Sequence, residues 1–412
     1  MLRRTREAAA ATAVVWAALG GTAWAASITI AWDPSPDSNI VAYIIHYGTE
    51  SGRYGATVEV SASTRQYTFT NLPKFVRYYF AVQARNTEGA VSVLSSEVSG
   101  FALDPPKRYT EFDGDERADI VVWRPGDGTW YIVNSSGGYS PSSARTIAWG
   151  SGSLGDVPVA GDFDGDGLSD VAVWRPGTGI WYVRTSGSFY SASGDLLIQW
   201  GSGVYDDVPV PGDYDGDGRT DPAVWRPGTG TWWVRTSSTN YTAYLSLQWG
   251  AGWLLDVPVP GDYDGDGRTD PAVWRPGSGY WYIATSSTNY AQRLSFQWGT
   301  GSLGDVPVTG DYDGDGRTDL TVWRPGEGMW YVRTSRSEYT TFGAVRWGAG
   351  WFGDVPVAED YDGDRRTDIV VWRPSEGVWY VLTSSSDFQR YFTTRWGAGA
   401  AADVPIGVPR RR

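Results

Sequence analysis

Apolar and polar residues alternate in short runs along most of this chain. Stretches such as "DPAVWRP", "TWWVRTS" and "LSLQWG" place apolar side chains at about every second position. Gly, Pro, Asp and Ser separate one run from the next. Alternation with a period of two, bounded by turn residues, is typical of short half-buried β-strands. The pattern therefore predicts an all-β protein.

Residues 27–104 form a first region of this kind. The stretches "ITIAWDPSPDSNIVAYIIHYG" and "QYTFTNLPKFVRYYFAVQARN" alternate and break at Pro, Asp and Gly, which predicts a β-sandwich. The region resembles a fibronectin type III domain, with Trp32 as the early core tryptophan and Leu72 with Tyr78 as the tyrosine corner. Phe80 and Val82 continue inward. The resemblance implies a sandwich that most often serves as a spacer.

Residues 108–406 repeat with a period of 49 to 51 residues after the linker-like "LDPPKRY". A "VWRP" tryptophan, a "WG" tryptophan and a "DVP" aspartate each recur six times. The "VWRP" tryptophans are Trp123, Trp174, Trp225, Trp274, Trp323 and Trp372. Each unit contains four strand-like runs, and repeats of this length indicate propeller blades or solenoid units. We expect a six-bladed β-propeller of four-stranded blades.

The repeats begin and end out of phase, which distinguishes a ring from an open solenoid. The first unit lacks "DVP", whereas a spare "DVPIGVP" begins at Asp403. A ring explains this arrangement if the C-terminal segment lies against the first blade. An open solenoid would leave tryptophan-rich faces uncovered unless polar caps closed its ends, and no cap is visible.

Each unit also carries an acidic nine-residue loop, such as "DYDGDGRTD", with carboxylates at positions 1, 3, 5 and 9. Side-chain oxygens at positions 1, 3 and 5 with a main-chain carbonyl at position 7 are typical of Ca²⁺, whereas Mg²⁺ requires stricter geometry. Glycine at positions 4 and 6 permits the positive φ that wraps the chain around an ion. The candidate ligands are Asp113, Asp115, Asp119, Asp162, Asp164, Asp166, Leu168, Asp170, Asp213, Asp215, Asp217, Arg219, Asp221, Asp262, Asp264, Asp266, Arg268, Asp270, Asp311, Asp313, Asp315, Arg317, Asp319, Asp360, Asp362, Asp364, Arg366 and Asp368.

The alternative for these loops is a set of Asp-Gly turns without an ion, in which four neighbouring carboxylates would repel one another. Six divalent ions would also neutralise most of the net charge of −13. The first loop departs from the pattern at Glu111 and Glu116, and the sixth departs at Arg365. We therefore expect four to six Ca²⁺ ions.

The loop and its strand context resemble the FG-GAP/VCBS repeats of integrin α-subunit propellers and of bacterial secreted proteins. The resemblance covers roughly 300 residues. It implies a calcium-stabilised propeller in which the ions are structural and ligands bind elsewhere on the ring.

Composition and the N-terminus limit the remaining possibilities. The 412 residues include no Cys and one His, His46, so disulfides, thiolate chemistry and sites with two histidines are excluded. The negative net charge argues against nucleic acid as a partner. Residues 1–25 combine three arginines, a short apolar stretch and "AWA", which predicts a secretory signal peptide and a secreted or cell-surface protein; a membrane anchor would need a longer stretch. No later segment is expected to span a membrane, and we expect a monomer.

Residues that differ between units point to function more than residues that repeat. Trp253 and Trp351 stand between "WG" and "DVP" where other units have Ser, Val or Ala, so they are candidate ligand-binding aromatics. The "VWRP" arginines are expected to pack between blades, stacked on indole or bonded to a carboxylate; an anion-binding ring is the alternative.

The leading hypothesis is a non-enzymatic binding or adhesion protein whose ligand is a glycan or an extracellular surface protein. The alternatives are a purely structural surface scaffold and a polysaccharide-active enzyme, a glycosidase or lyase that uses carboxylates alone. The unrepeated acids available for catalysis are Asp127, Asp206, Glu327, Glu338 and Glu376.

Overall fold

The computed structural model describes residues 13–15, 28–69, 77–101 and 110–407. The chain divides into two compact units, Met1–Pro106 and Lys107–Arg412. Every regular element longer than three residues in the described ranges is a β-strand, as the alternation predicts. Most of the predicted signal peptide and Leu72 lie outside these ranges.

The first unit is a sandwich of a three-stranded and a four-stranded sheet, with strand orders β1-β2-β5 and β4-β3-β6-β7. Its strands are β1 (Ala13–Val15), β2 (Ile28–Trp32), β3 (Ile40–Gly48), β4 (Ala56–Ser61), β5 (Gln66–Phe69), β6 (Arg77–Asn86) and β7 (Val98–Phe101). Alternate residues of facing strands fill the core, including Trp32, Tyr78, Phe80 and Val82. These are the core positions that the fibronectin type III resemblance implies.

The second unit contains six four-stranded antiparallel sheets, which we call blades 1 to 6. Five of them are formed by consecutive strands. Blade 1 contains β8 (Ile120–Arg124), β9 (Thr129–Val133) and β10 (Ala144–Ala148). Blade 2 contains β11 (Val157–Gly161), β12 (Asp170–Arg175), β13 (Ile180–Arg184) and β14 (Asp195–Gln199), and blade 3 contains β15 (Val208–Pro209), β16 (Ala223–Arg226), β17 (Thr231–Arg235) and β18 (Tyr244–Gln248). Blade 4 contains β19 (Val257–Pro258), β20 (Ala272–Arg275), β21 (Tyr280–Ala284) and β22 (Arg293–Gln297), blade 5 contains β23 (Val306–Pro307), β24 (Leu320–Arg324), β25 (Met329–Arg333) and β26 (Phe342–Arg346), and blade 6 contains β27 (Val355–Val357), β28 (Ile369–Arg373), β29 (Val378–Leu382) and β30 (Tyr391–Arg395).

In blade 1 the place of the first strand is filled by a segment from the C-terminal end of the chain. Strand β31 (Val404–Pro405) pairs antiparallel with β8, with Val404 opposite Trp123 and Pro405 opposite Val122. The first strand of every other blade occupies the same place, as in the pairing of Val157 with Trp174. The spare "DVP" segment therefore completes blade 1.

The hydrophobic core of this unit lies between the blades. Each of six buried clusters combines residues of two neighbouring blades, and one of them joins blade 6 to blade 1 through Val381 and Val133. Within each blade the "VWRP" tryptophan of the second strand faces a further tryptophan in the third strand, as Trp274 faces Trp281. These contacts are those of a β-propeller, in which blades pack face to face around an axis.

Strand direction divides the connections between two ends of the unit. The acidic loops join the first strand to the second, and the hairpin tips join the third to the fourth, so both lie at one end. The "PGxG" turns and the loops between blades lie at the other end. Six one-turn 3-10 helices stand in these interblade loops: Gly152–Leu154, Gly203–Tyr205, Gly252–Leu254, Gly301–Leu303, Gly350–Phe352 and Gly399–Ala401; four more, Pro141–Ser143, Ala192–Gly194, Ser286–Thr288 and Ser384–Ser386, stand at hairpin tips.

Candidate metal centres

The six acidic loops have nearly the same local structure. Their residues are 111–119, 162–170, 213–221, 262–270, 311–319 and 360–368, and we call them loops 1 to 6. Glycine at position 4 has positive φ in every loop, for example 86° at Gly165. Position 6 is also left-handed, even where Glu116 (65°) and Arg365 (71°) replace glycine. The expected wrapping of the chain is therefore present in all six loops.

The aspartate at position 9 anchors each loop to its blade. Asp170 accepts hydrogen bonds from the main-chain N–H groups of Phe163 (2.7 Å) and Ser186 (2.7 Å). The equivalent aspartates make the same two bonds, and all six are fully buried. Position 9 thus joins the start of the loop to the end of the third strand.

The carboxylates at positions 1, 3 and 5 fold inward over the same space. In loop 3, Asp213 accepts from the N–H groups of Gly216 and Gly218, at 2.6 and 2.9 Å. Asp217 accepts from Ser237 Oγ at 2.9 Å, and Asp215 accepts from the N–H of Ser238 at 3.2 Å. Amide and hydroxyl donors hold the acids close together despite their like charge.

Groups of three carboxylates bring one oxygen each to within 4.8 Å of one another. In loops 2 to 4 the members stand at positions 1, 3 and 9, and in loops 1 and 5 they stand at positions 1, 3 and 5. Five such groups are Glu111, Asp113 and Asp115; Asp162, Asp164 and Asp170; Asp213, Asp215 and Asp221; Asp262, Asp264 and Asp270; and Asp311, Asp313 and Asp315. Glu111, which is absent from the ligand set expected from the sequence, belongs to the first group.

The donor set fits a hard divalent cation. Every side chain in these groups offers carboxylate oxygen, which is the ligand Ca²⁺ prefers. Two of those oxygens, Oε2 of Glu111 and Oδ1 of Asp313, are buried without a hydrogen bond. A buried carboxylate oxygen without a donor is costly unless a cation satisfies it.

Burial changes the proton affinity of several of these acids. Desolvation raises the pKa of Asp119 and Asp170 to about 8, and that of Asp221, Asp270 and Asp319 to about 7. Desolvation likewise raises the pKa of the acids at position 1 of several loops, to about 6 at Asp162. These carboxylates resist ionisation unless a positive charge is close by.

Neighbouring loops are hydrogen-bonded to one another, a contact that the sequence does not predict. The main-chain N–H at position 8 of each loop donates to the carbonyl at position 1 of the preceding loop, as Thr220 donates to Asp162 at 2.6 Å. Ala118 of loop 1 donates in the same way to Asp360 of loop 6 at 2.7 Å. The sequence carries no signal for this contact because the partners are 56 to 58 residues apart, and 242 apart where loop 1 meets loop 6.

The arginine at position 7 forms an ion pair within its own loop. From the sequence, this residue is expected to offer only its main-chain carbonyl, but its side chain pairs with the aspartate at position 5. Arg219 donates to Asp217 Oδ2 through Nε (3.0 Å) and Nη2 (2.8 Å). Loops 1, 4, 5 and 6 have the same ion pair, whereas loop 2 has Leu168 at this position.

At the opposite end, each "VWRP" arginine is bound within its own blade, which corrects the expected packing between blades. Arg275 meets Asp256 of its "DVP" segment in a two-pronged ion pair, with distances of 2.7 and 2.9 Å. Its guanidinium lies over the ring of Tyr282, 4.7 Å from the centroid, rather than over indole. The other five arginines make equivalent pairs. Because a buried carboxylate neutralises each arginine, these six residues do not form an anion-binding ring.

The "WG" tryptophans join neighbouring blades. Trp249 Nε1 donates to the carbonyl of Tyr282 in the next blade at 3.0 Å, and Trp396 of blade 6 donates to Tyr131 of blade 1 at 3.0 Å. Hydroxyls at the hairpin tips act similarly at the other end, where Tyr241 donates to Phe163. These repeated aromatics therefore have structural roles.

Trp253 and Trp351 differ from the repeated tryptophans because they are exposed. Their side chains are 72% and 63% accessible, in the interblade loops before blades 4 and 6. Other large apolar side chains are exposed in interblade loops, including Val204, Leu255 and Phe352. We call this end of the unit the interblade face.

Comparison with known families gives four matches to an FG-GAP-like repeat, at residues 112–173, 162–224, 262–322 and 311–371. Together these matches span more than half of the chain. The chain belongs to the FG-GAP-like repeat family. Residues 22–101 match the fibronectin type III domain. Both family predictions are therefore confirmed.

Several solved structures are similar, and no curated protein matches. An Agrocybe aegerita lectin, described as recognising non-reducing terminal N-acetylglucosamine, is 15% identical with a TM-score of 0.48; the alignment covers 72% of this chain and 97% of the lectin. Apo AztD from Citrobacter koseri is 10% identical, with a TM-score of 0.37 and coverage of 87% and 96%. A fibronectin type III domain of human collagen XX is 17% identical, with a TM-score of 0.19 and coverage of 24% and 99%.

Proposed function

We propose that this protein is a secreted, calcium-stabilised binding protein that recognises a glycan or a surface protein through the interblade face. FG-GAP repeats are consistent with a binding or adhesion role. The observation that carries the proposal is the exposure of Trp253 and Trp351 at positions where Ser153, Ser302 or Ala400 suffices in other blades. An indole that the fold does not bury is suited to stacking on a sugar ring or an apolar side chain.

In this proposal calcium has a structural role. Carboxylates at positions 1, 3, 5 and 9, with the carbonyl at position 7, would hold one ion in each loop, four to six in all. The ion would supply the positive charge that the buried acids lack. Because position 8 of each loop bonds to the preceding loop, fixing one loop also fixes its neighbour.

The unrepeated acids favour binding over catalysis. A glycosidase that uses two carboxylates needs one with a raised pKa to act as general acid. The hydrogen bond from Tyr380 instead lowers the pKa of Glu376. Glu327 likewise accepts from Tyr331 of its own hairpin, and Asp127 from Tyr131. Each of these three acids therefore serves as a hydrogen-bond acceptor within its own hairpin.

Export is part of the proposal, through the signal peptide expected at residues 1–25. Within the described ranges, the structure has no helix with the length and apolar character needed to cross a membrane.

Replacing Trp253 or Trp351 with Ser tests the binding face. Blades 2 and 5 are preceded by loops that have Ser153 and Ser302 at the same place, so we expect each variant to melt within about 2 °C of the parent. Affinity for a ligand found in a glycan and surface-protein screen should fall by about tenfold or more, because one exposed indole contributes on the order of 1–3 kcal/mol at an interface.

The control for this experiment is Phe189→Ser, at a hairpin tip at the opposite end of the unit, where the side chain is 93% exposed. It should leave affinity unchanged. Melting that falls by several degrees in the tryptophan variants, with affinity intact, would assign both residues to packing and place the ligand elsewhere.

A further inference from the structure

Position 7 sets loop 2 apart from the other five acidic loops. Position 7 is arginine in five loops and leucine, Leu168, in loop 2. In loops 3, 4 and 5 the guanidinium binds Oδ2 of the position-5 aspartate at 3.1 Å or less. It also donates to a main-chain carbonyl at the end of the third strand, as Arg268 donates to Ser286 at 2.6 Å.

Loop 2 lacks this internal cation. Asp166 Oδ1 accepts from the N–H of Leu168 (2.9 Å) and from Ser186 Oγ (2.9 Å), as in the other loops. Among the described residues, no arginine or lysine is within ion-pair distance of Asp166, whereas Asp217, Asp266 and Asp315 each have one. None of the four carboxylates of loop 2 therefore has an ion-pair partner among the described residues.

The hairpin tip next to position 7 differs in the same way. In loops 5 and 6 the arginine also pairs with a tip carboxylate, Glu338 at 3.1 Å and Asp387 at 3.2 Å. The equivalent tip residue in blade 2 is Phe189, which is 93% exposed. The tip residues of blades 1, 3 and 4 (Gly138, Asn240 and Asn289) are also uncharged, so this second ionic contact is confined to loops 5 and 6, and blade 2 alone is apolar at both positions.

The backbone around Leu168 matches that of the arginine loops. A Cβ placed on Gly114 of the preceding loop would lie 3.7 Å from Leu168 Cδ2. A Cβ on Gly165 would similarly lie 3.0 Å from Arg219 Cγ. The stem of either side chain thus covers the position-4 glycine of the preceding loop, and leucine differs from arginine in lacking the guanidinium with its charge and hydrogen bonds.

We propose that Leu168 makes loop 2 the tightest calcium site and that the arginine at position 7 weakens the other five; this rests on the proposed calcium binding. A guanidinium that holds one oxygen of a ligand carboxylate withdraws that oxygen from the ion and repels it. At the separation of adjacent groups in a partly solvated loop, one unit charge changes the affinity for a divalent ion by about tenfold or more.

Calorimetric Ca²⁺ titration of the full chain, with a chelator competing for the tight class, tests the proposal. The parent should bind one ion about tenfold more tightly than the rest. Leu168→Arg should remove that tight class without changing the total number of ions. Arg219→Leu should create a second tight ion. Leu168→Met, which keeps the apolar stem, should behave as the parent.

Three results would overturn the proposal. One is a tight class that survives in Leu168→Arg while Arg219→Leu gains none. Another is a tight class lost equally in Leu168→Met, which would assign the effect to packing rather than charge. The third, no Ca²⁺ bound by any variant, would overturn the proposed calcium binding as well, so the two failures are distinguishable.

Discussion

Removing calcium is expected to lower the melting temperature of the repeat unit by about 20 °C or more. An ion that binds only the folded state stabilises it by about 2.7 kcal/mol when its concentration is a hundredfold above Kd. Extracellular sites of this kind have Kd of about 10⁻⁴ to 10⁻³ M. Four occupied loops at about 10 mM Ca²⁺ therefore contribute on the order of 10 kcal/mol, and each kcal/mol shifts the melting temperature by about 2 °C in a unit of this size.

Calorimetry in EGTA and in calcium measures this shift. The Met1–Pro106 unit carries no acidic loop, so its transition serves as an internal control and should not move. Asp264→Asn removes one ligand of loop 4, so it should reduce the calcium-dependent rise in melting temperature by about the contribution of one site. Glu376→Gln, in a turn at the opposite end of the unit, should lose none. Equal melting temperatures in EGTA and in calcium would show that the loops are turns without ions.

The fold could be predicted from the sequence because its strongest signals are local and repeat six times. Alternation marks each strand, and the spacing between "VWRP" and "WG" marks each blade. The longer period of the first two units comes from two extra residues in the hairpin between the third and fourth strands. Such a rigid unit tolerates length changes at its hairpin tips.

The contacts between repeats could not be predicted in the same way. The pairing of Arg275 with Asp256 depends on the register of the first and second strands, which puts the arginine beside the first strand of its own blade. The sequence shows only that both residues recur. It also assigns no carboxylate partner to the side chain of Arg219, because that partner becomes clear only when the loop curls back on itself.

Glu111 illustrates a limit of motif matching at the candidate site. It departs from the motif as glutamate in place of aspartate at position 1, and the ligand set expected from the sequence does not include it. Its longer side chain still places an oxygen within 4.8 Å of those of Asp113 and Asp115. A motif defined by residue type misses a ligand that reaches the same point in space from a longer stem.

The second large effect is expected when the chain is ended at Ala402. This truncation removes β31, which fills the place of the first strand in blade 1. It also removes Asp403, whose carboxylate pairs with Arg124 at 2.7 and 2.9 Å. Loss of that partner costs about 2–3 kcal/mol for a partly buried pair. Ile406, which is 5% exposed, contributes about 2 kcal/mol by burial. We therefore expect the melting temperature of the repeat unit to fall by about 10 °C.

Hydrogen exchange locates the damage and separates this explanation from general destabilisation. Amides of β8 should lose protection first, because β31 covers that edge and the N–H of Ile406 donates to the carbonyl of Val121 at 3.1 Å. Ending the chain at Gly407 instead keeps every one of these contacts and should melt as the parent. Asp305→Asn weakens the equivalent pair inside blade 5, so it should destabilise the unit without exposing β8. If the chain ending at Ala402 keeps both its melting temperature and the protection of β8, the C-terminal strand is dispensable and blade 1 is stable with three strands.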